Sequence, residues 1–336
     1  MPIAPRSLMS LGVVLLLLLM AVGGLALLIT RMPLASYKGP LPPLTAEEGE
    51  ISDHLYRHVR MLADSIGERH IWLNGSLART GQYIEDTFSE LGYRVERQSF
   101  EARQVTVSNF EVELQGRKKP DEFLVVGAHY DTVVSCPGAN DNGSGVAALL
   151  ELARLLRDSR PDRTIRFVAF VNEESPFFLS GEMGSRRYAA RCRQRQEKIV
   201  AMLSLETIGY YSEKSHSQSY PFPFFSLFYP DKANFIGFVG NLGSRRLVRQ
   251  AIAAFRRHTE FPSEGTAAPG WLTGIGWSDH SSFWREGYQA IMITDTALFR
   301  YAPYHRQDDT VEKLDYERMA RVVGGLVKVV GQLAGT

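Results

Sequence analysis

Six short stretches of this chain carry side chains that could do chemistry together. They are His129-Tyr130-Asp131, the glycine-rich Gly138-Ala139-Asn140-Asp141-Asn142-Gly143-Ser144-Gly145, Asn172-Glu173-Glu174, Glu206, Ser278-Asp279-His280 and Tyr304-His305. Imidazole and carboxylate are both good zinc ligands, and a catalytic zinc keeps three protein ligands and an open position. Two histidines and three carboxylates serve two metals in this way if one carboxylate is shared. Asp141 fits the bridge, because a glycine-rich loop lets backbone approach closely and a short side chain holds the metals near each other. A pair of metals about 3.5–4 Å apart can act jointly on a hydroxide and a substrate carbonyl. Asp131, two residues from His129, is placed to accept the other imidazole proton. Glu173 and Glu174 are adjacent, so their side chains diverge, and the natural division is one ligand and one general base. Asp279 and His280 are candidates for support of the ligands or contact with substrate.

Each element has a plainer reading. Adjacent glutamates are usually solvated, and His54, His58, His70, His216 and His258 read as surface or helix-face residues with no role. The glycine-rich loop lacks the spacing and the lysine of a phosphate-binding P-loop. The chain has no H-E-x-x-H and no G-x-S-x-G, which weighs against a single-zinc helix protease and a serine hydrolase.

What singles the six stretches out is where they fall. Phe123 to Ala128, Ile165 to Val171 and Ile199 to Leu205 are apolar runs of the kind buried on both faces of a parallel sheet, and each runs into one of the polar stretches. In open α/β sheets, ligands bind just beyond the carboxyl ends of the strands. Helical patterns over Val146–Leu156, Ser185–Arg195, Arg245–His258 and Tyr316–Leu333 alternate with these strands and with shorter ones at Phe235–Val239 and Ala290–Ile293. Upstream, Thr45-Ala46-Glu47-Glu48 has capping-box spacing, a second helix runs from about Thr80 to Leu91, and Tyr93–Phe100 and Val105–Leu114 alternate as strands. The predicted fold class is α/β, three-layered, with a mostly parallel central sheet and helices on both faces. Residues 46–336 form one catalytic domain, preceded by a linker over 33–45 rich in proline. Tyr220 to Pro230 is aromatic throughout, and reads first as a loop packed on the core, with a pocket wall or bilayer contact as alternatives.

Between Arg6 and Arg31 lie 24 uncharged residues. As a helix they would reach roughly 36 Å, enough for a hydrocarbon core of about 30 Å. Residues 1–32 are therefore expected to be a transmembrane anchor, with a signal peptide cleaved near Ala21-Val22-Gly23 as the alternative. Either way the remainder is exported: membrane-anchored with its catalytic domain periplasmic or extracellular, or secreted. The net charge of +1 gives no argument for a nucleic-acid partner. Cys136 and Cys192 allow at most one disulfide, so the core must hold the fold.

The ordered set Gly127-Ala128-His129-Tyr130-Asp131, Gly138 to Gly145, Asn172-Glu173-Glu174, Leu205-Glu206-Thr207-Ile208-Gly209-Tyr210, Ser278-Asp279-His280 and Tyr304-His305 resembles the motifs of the co-catalytic zinc aminopeptidases. That family includes bacterial leucyl aminopeptidase, aminopeptidase Y and glutamate carboxypeptidase. The resemblance runs from about residue 50 to the C-terminus. It implies two Zn(2+) per chain, with His129 and Glu206 on one zinc, Glu174 and His305 on the other, Asp141 bridging and Glu173 as base. The Glu206 position is often aspartate in the family, and the strand-rich insert of larger members has no room here. The activity implied is removal of N-terminal residues from peptides with a free N-terminus. Two alternatives share the fold: a glutaminyl-peptide cyclotransferase and a non-catalytic, receptor-like ectodomain that binds a partner.

Overall fold

The apolar runs become strands because their alternate residues supply two separate cores. The computed structural model of this chain describes residues 20, 23–24, 26–73 and 75–336. Eight strands form one sheet: β1 (Glu96–Ala102), β2 (Val105–Leu114), β3 (Lys119–His129), β4 (Arg163–Phe170), β5 (Lys198–Glu206), β6 (Ile236–Gly240), β7 (Ser263–Ala267) and β8 (Ala290–Thr294). Their order is β1-β2-β4-β3-β5-β8-β6-β7. The central four, β4-β3-β5-β8, are parallel to one another, and so is the outer pair β6-β7. β1 with β2, β2 with β4, and β6 with β8 pair antiparallel. The expected parallel sheet is thus its centre, carried outwards by antiparallel pairings that strand alternation alone does not encode.

Seven helices cover it: α1 (Ala46–Arg60), α2 (Ser76–Glu90), α3 (Gly145–Leu156), α4 (Gly184–Gln194), α5 (Arg245–His258), α6 (His280–Arg285) and α7 (Tyr316–Ala334). On one face Leu124, Val126, Ile165, Phe167, Leu203 and Ile291 join the apolar stripes of α1, α2, α3, α5 and α7. On the other, Val125, Val168, Phe170 and Met202 meet Tyr188, Ala189 and Cys192 of α4 and Phe283 of α6. Residues one apart on a strand go to opposite cores, as the pleat requires. The capping box at Thr45 forms, with the Thr45 hydroxyl accepting from the Glu48 amide and the Glu48 carboxylate accepting from the Thr45 amide. Cys136 and Cys192 are both buried and free.

This topology makes the site. After β3 the chain turns into α3 on one face, and after β4 into α4 on the other, before crossing to β5 on the far side of β3. Chains leaving neighbouring strands in opposite directions open a crevice at their carboxyl ends. His129 and Glu206 are the last residues of β3 and β5, and Glu173 and Glu174 lie just past β4.

The expected membrane segment over 1–32 lies largely outside the described residues. Among the described residues no helix is long and apolar enough to cross a membrane. Its last part is seen: residues 26–30 are helical, and Ile29 is buried against Phe225, Ala268 and Ile275. The stretch 33–45 is fastened along the domain as a strap. Arg256 donates to the carbonyls of Pro33 and Leu34, Ser36 Oγ accepts from the Ser263 amide at 2.9 Å, and Arg321 donates to Pro42 O.

Leu203, fully buried at the centre of β5, serves both the sheet and the larger core. Leu203→Ala should destabilise the protein by about 2–5 kcal/mol, read as a lowered denaturation midpoint. A change within error would mean that this layer is not close-packed.

Candidate metal centre

Four carboxylates and two imidazoles converge at the crevice. His129 Nε2 lies 3.3 Å from Asp141 Oδ1 and 3.3 Å from Glu206 Oε2. His305 Nε2 lies 3.0 Å from Asp141 Oδ2 and 3.1 Å from Glu174 Oε1. Asp141 therefore faces one histidine with each oxygen, and both oxygens are buried with no donor besides these two imidazoles. A buried carboxylate is costly unless a cation meets it, either an imidazolium or a metal. The ligating atoms of His129, Asp141 and Glu206 lie within 4.8 Å of one another, and so do those of Asp141, Glu174 and His305. Two overlapping sets of three share Asp141, and imidazole and carboxylate are both zinc donors. Glu173 stands beside them, its Oε2 3.9 Å from His129 Nε2.

The charges are held by each other. Burial opposes an imidazolium at His129, but Glu206 and Glu173 outweigh it and hold its pKa well above the usual value. Burial likewise opposes the charged His305, yet Asp141 and Glu174 bring it up to about 10. Burial and the Asp141 charge push Glu174 up to about 7, and burial raises Glu173 well above a normal carboxyl. Protons thus do the neutralising that dications would do.

The backbone around the cluster is constrained. Asn172, Thr207 and His305 have φ of 57°, 45° and 59°, in the left-handed region that side chains avoid. All three lie at or next to the converging residues, where such strain is commonly retained for function. Gly138, at φ 63°, opens the metal-facing loop, and a Cβ there would fall 2.4 Å from Asp141 O.

Asp131 lies against His129 Nδ1, as its spacing suggests, and does a second job as well. Its carboxylate is 3.6 Å from His129 Nδ1, while its main-chain carbonyl is nearer at 3.2 Å. The two carboxylate oxygens accept the amides of Glu173 and Glu174, each at 3.0 Å. Asp131 therefore ties the end of β3 to the end of β4. Asp279 is fully buried and belongs to neither set of donors; burial pushes its carboxyl up to about 7. His280 turns away from the cluster, with Nε2 2.8 Å from Ile275 O and its ring edge-on to Trp284; burial brings it down to about 4. It is a packed, neutral histidine.

Three supporting residues were missed in the sequence. Asp309 accepts the amides of Asn140 at 2.8 Å and Asp141 at 3.1 Å, and the Tyr301 hydroxyl at 2.8 Å. Asp295 accepts from Asn140 Nδ2 and from the Tyr210 amide. Arg69, wholly buried, donates to Tyr130 O, Pro137 O and Gly138 O, clamping the end of β3 to the glycine-rich loop. Only Asp309 had a usable signal, lying four residues beyond His305. The other described histidine cluster, His54 and His58 with Glu151, has its carboxylate already chelated by Arg154 at 2.7 and 2.9 Å.

An apolar pocket opens from the cluster. It begins at Glu206 and Tyr304 and is walled by Tyr220, Phe225, Tyr229, Ile275 and Met292. The aromatic stretch Tyr220–Pro230 is therefore a pocket wall on one side, with Phe225 buried and Leu227 on the surface.

A fold of this topology with paired histidine–carboxylate donors at its switch point defines a metallohydrolase of the α/β type. Residues 109–330 match the model of peptidase family M28. The chain is 37% identical to the uncharacterized protein YfbL of Escherichia coli (strain K12), over 83% of this chain and 87% of that protein. It is 31% identical to aminopeptidase YwaD of Bacillus subtilis (strain 168) over 62% of this chain, a match that spans only 40% of YwaD. The solved aminopeptidase from Aneurinibacillus sp. strain AM-1 superposes with a TM-score of 0.66 at 17% identity, covering 86% of this chain and 95% of that one. The chain belongs to peptidase family M28. It is a peptide hydrolase.

Two predictions follow from the electrostatics and the support. The folded, metal-free His305 holds its proton up to about 10 against 6.5 for a free imidazole. A raised histidine pKa contributes stability below 6.5 that is lost as pH climbs through this window. The melting temperature of metal-free protein should therefore fall from pH 6.5 towards 10, and added zinc should raise it most at the alkaline end. A flat metal-free profile would argue against the His305 contacts. Asp309→Asn removes one acceptor from the Asp141 loop and should weaken metal binding about 10–100-fold, measured by competition with a chelator; unchanged affinity would make Asp309 merely structural.

Proposed function

We propose that the protein is a two-zinc aminopeptidase, held at a membrane by residues 1–32 with residues 46–336 outside the cytoplasm. If the N-terminal segment is cleaved, the same domain is secreted. The observation that carries the catalytic reading is Asp141, buried, with one oxygen towards each histidine and no other donor on either. His129 and Glu206 would complete one zinc and Glu174 and His305 the other. The donor chemistry fits, since every member is a nitrogen or oxygen ligand and each set leaves an open position. Relatives named aminopeptidases and zinc metalloproteases support the metal and the reaction.

When bound, the zinc pair supplies Lewis acidity, making a water easier to deprotonate and a carbonyl easier to attack. Glu173 is the base. It adjoins Glu174, is not needed to complete either set of donors, and its carboxylate stands within 4 Å of His129. It takes the proton from the attacking water and passes it to the nitrogen of the scissile bond, so that the leaving amine departs neutral. In the metal-free protein, burial raises the Glu173 carboxyl above its usual range, with Glu174 and Glu206 adding to the shift. Asp131 fixes its backbone by accepting the Glu173 amide. The pocket walled by Tyr220, Phe225 and Ile275 lies next to Glu206 and Tyr304, and would take an apolar side chain of the N-terminal residue.

Metal-loaded protein should release the first residue from peptides with a free amine and leave N-acetylated peptides intact; chelator should abolish this and zinc restore it. Two metals per chain are expected. Pyroglutamate formed from glutaminyl peptides, with no hydrolysis of others, would replace this reading by the cyclotransferase. Glu173→Gln should keep both metals while kcat falls about 10²–10⁴-fold; near-normal turnover would remove Glu173 from the base role.

A further inference from the structure

The described end of the N-terminal segment does not leave the domain freely. Ile29 is buried against Phe225 of the aromatic stretch and against Ala268 and Ile275. Arg245 Nε, in the first turn of α5, donates to Leu28 O at 2.8 Å, and Arg249 donates to Arg31 O at 2.6 Å. The chain thus emerges between the aromatic stretch on one side and α5 on the other.

Around that exit the surface is apolar to an unusual degree. Trp271 is 82% exposed and Leu227 79%, with Phe224, Leu28 and Leu242 also exposed. Gly270 and Asn241 are neighbours, so Trp271 and Leu242 each follow one of two adjoining residues, and Leu242 lies one turn ahead of Arg245. Soluble proteins seldom expose large apolar side chains in a contiguous patch without a partner. Behind the patch, one shallow depression of α5 is lined by Arg245, Arg246, Arg249 and Arg257. Among the described residues none of these four pairs with a carboxylate. The features differ in chemistry and meet at one place, the point where 24 uncharged residues end.

A bilayer presents that pair of chemistries at one depth. Trp settles at the headgroup boundary, where an amphipathic ring is apolar at one end and wet at the other, and Phe and Leu beside it enter the apolar side. Arginines just outside it meet lipid phosphates, and more strongly at an anionic surface. We infer that this face of the domain sits in the headgroup layer of the membrane, with Trp271, Leu227 and Phe224 entering the apolar boundary and the α5 arginines on lipid phosphates. The inference rests on the anchor proposed above. It adds that the domain does not swing on a tether. Since Phe225 walls the substrate pocket and its neighbours Phe224 and Leu227 enter the lipid, the pocket is held alongside the bilayer.

The full chain is reconstituted into vesicles of phosphatidylcholine, with and without phosphatidylglycerol, carrying bromine on the acyl chains near the headgroup. Flotation tests the anchor by itself. Tryptophan quenching tests the face, and the Trp271 component is obtained by difference from Trp271→Phe. We expect the chain to float and Trp271 to lose about half or more of its emission. Quenching should be greater with phosphatidylglycerol, and Arg246→Gln with Arg257→Gln should remove that difference while peptide hydrolysis in detergent is unchanged. A chain that floats with Trp271 unquenched overturns the inference and leaves the anchor standing, and another occupant, such as a second copy, then covers the patch. Failure to float overturns the anchor and this inference with it. Quenching that ignores lipid charge overturns the role given to the arginines.

Discussion

The structure is organised around a surplus of negative charge where water is scarce. Asp141, Glu173, Glu174 and Glu206 are all buried, and only two imidazoles share their crevice. Carboxylates this close cannot all remain ionised without compensation, because desolvation and mutual repulsion act in the same direction. Raised proton affinities at Glu173, Glu174, His129 and His305 are the response of the protein alone. Dications would be the other solution, and Asp141, whose two oxygens meet one imidazole each and no other donor, lies at the middle of the cluster. A fold that concentrates charge in this way gives up stability for function, so its surroundings must be rigid enough to stop the carboxylates moving apart.

That rigidity comes from main-chain hydrogen bonds more than from salt bridges. Asp131 holds the two glutamate amides, Asp309 holds Asn140 and Asp141, and Arg69 binds three carbonyls along the rim. Asn142 adds a further tie, its Oδ1 accepting from Gly145 and Thr207 and its Nδ2 donating to Leu205 O. Together these interactions tie the strand ends to the loops around them. The ligands are therefore positioned by backbone held in place on two sides, and this lets Thr207 and His305 keep left-handed conformations that would relax elsewhere.

The central strands and the converging residues were legible because both carry strong local signals. A run such as Phe123 to Ala128 has few uses other than a strand buried on both faces, and polar residues directly after it fall at the sheet edge whatever the remaining topology. β7 was not legible. Its sequence, Ser-Glu-Gly-Thr-Ala, has no apolar alternation, and it is a strand because β6 offers it a ladder and Gly265 leaves room for Met32. The antiparallel attachments of β2 and β6 are decided by tertiary pairing and leave no mark in the period of their residues. Asp131 shows the same limit at the scale of one side chain. Its spacing from His129 suggested the imidazole contact, but that its carboxylate also accepts the amides of Glu173 and Glu174 depends on how the neighbouring strand β4 ends. Arg69 and Asp295 are single polar residues whose meaning exists only in three dimensions.

The strap gives the N-terminal stretch a larger part than that of a spacer. Arg256 binds the carbonyls of Pro33 and Leu34, and the same guanidinium lies 3.5 Å from Glu264. Glu264 lines the apolar pocket together with Gly265, against which Met32 packs. Residues 29 to 36 therefore form the outer support of the wall that faces substrate, through Ile29 on Phe225 at one end and Ser36 on Ser263 at the other. A soluble version truncated within this stretch would keep every proposed metal ligand and still lose contacts behind its pocket. The metal centre depends on the sheet, whereas the pocket wall depends also on the strap, so the two can be perturbed separately. The shape of the pocket is set partly by residues that sequence order assigns to a linker.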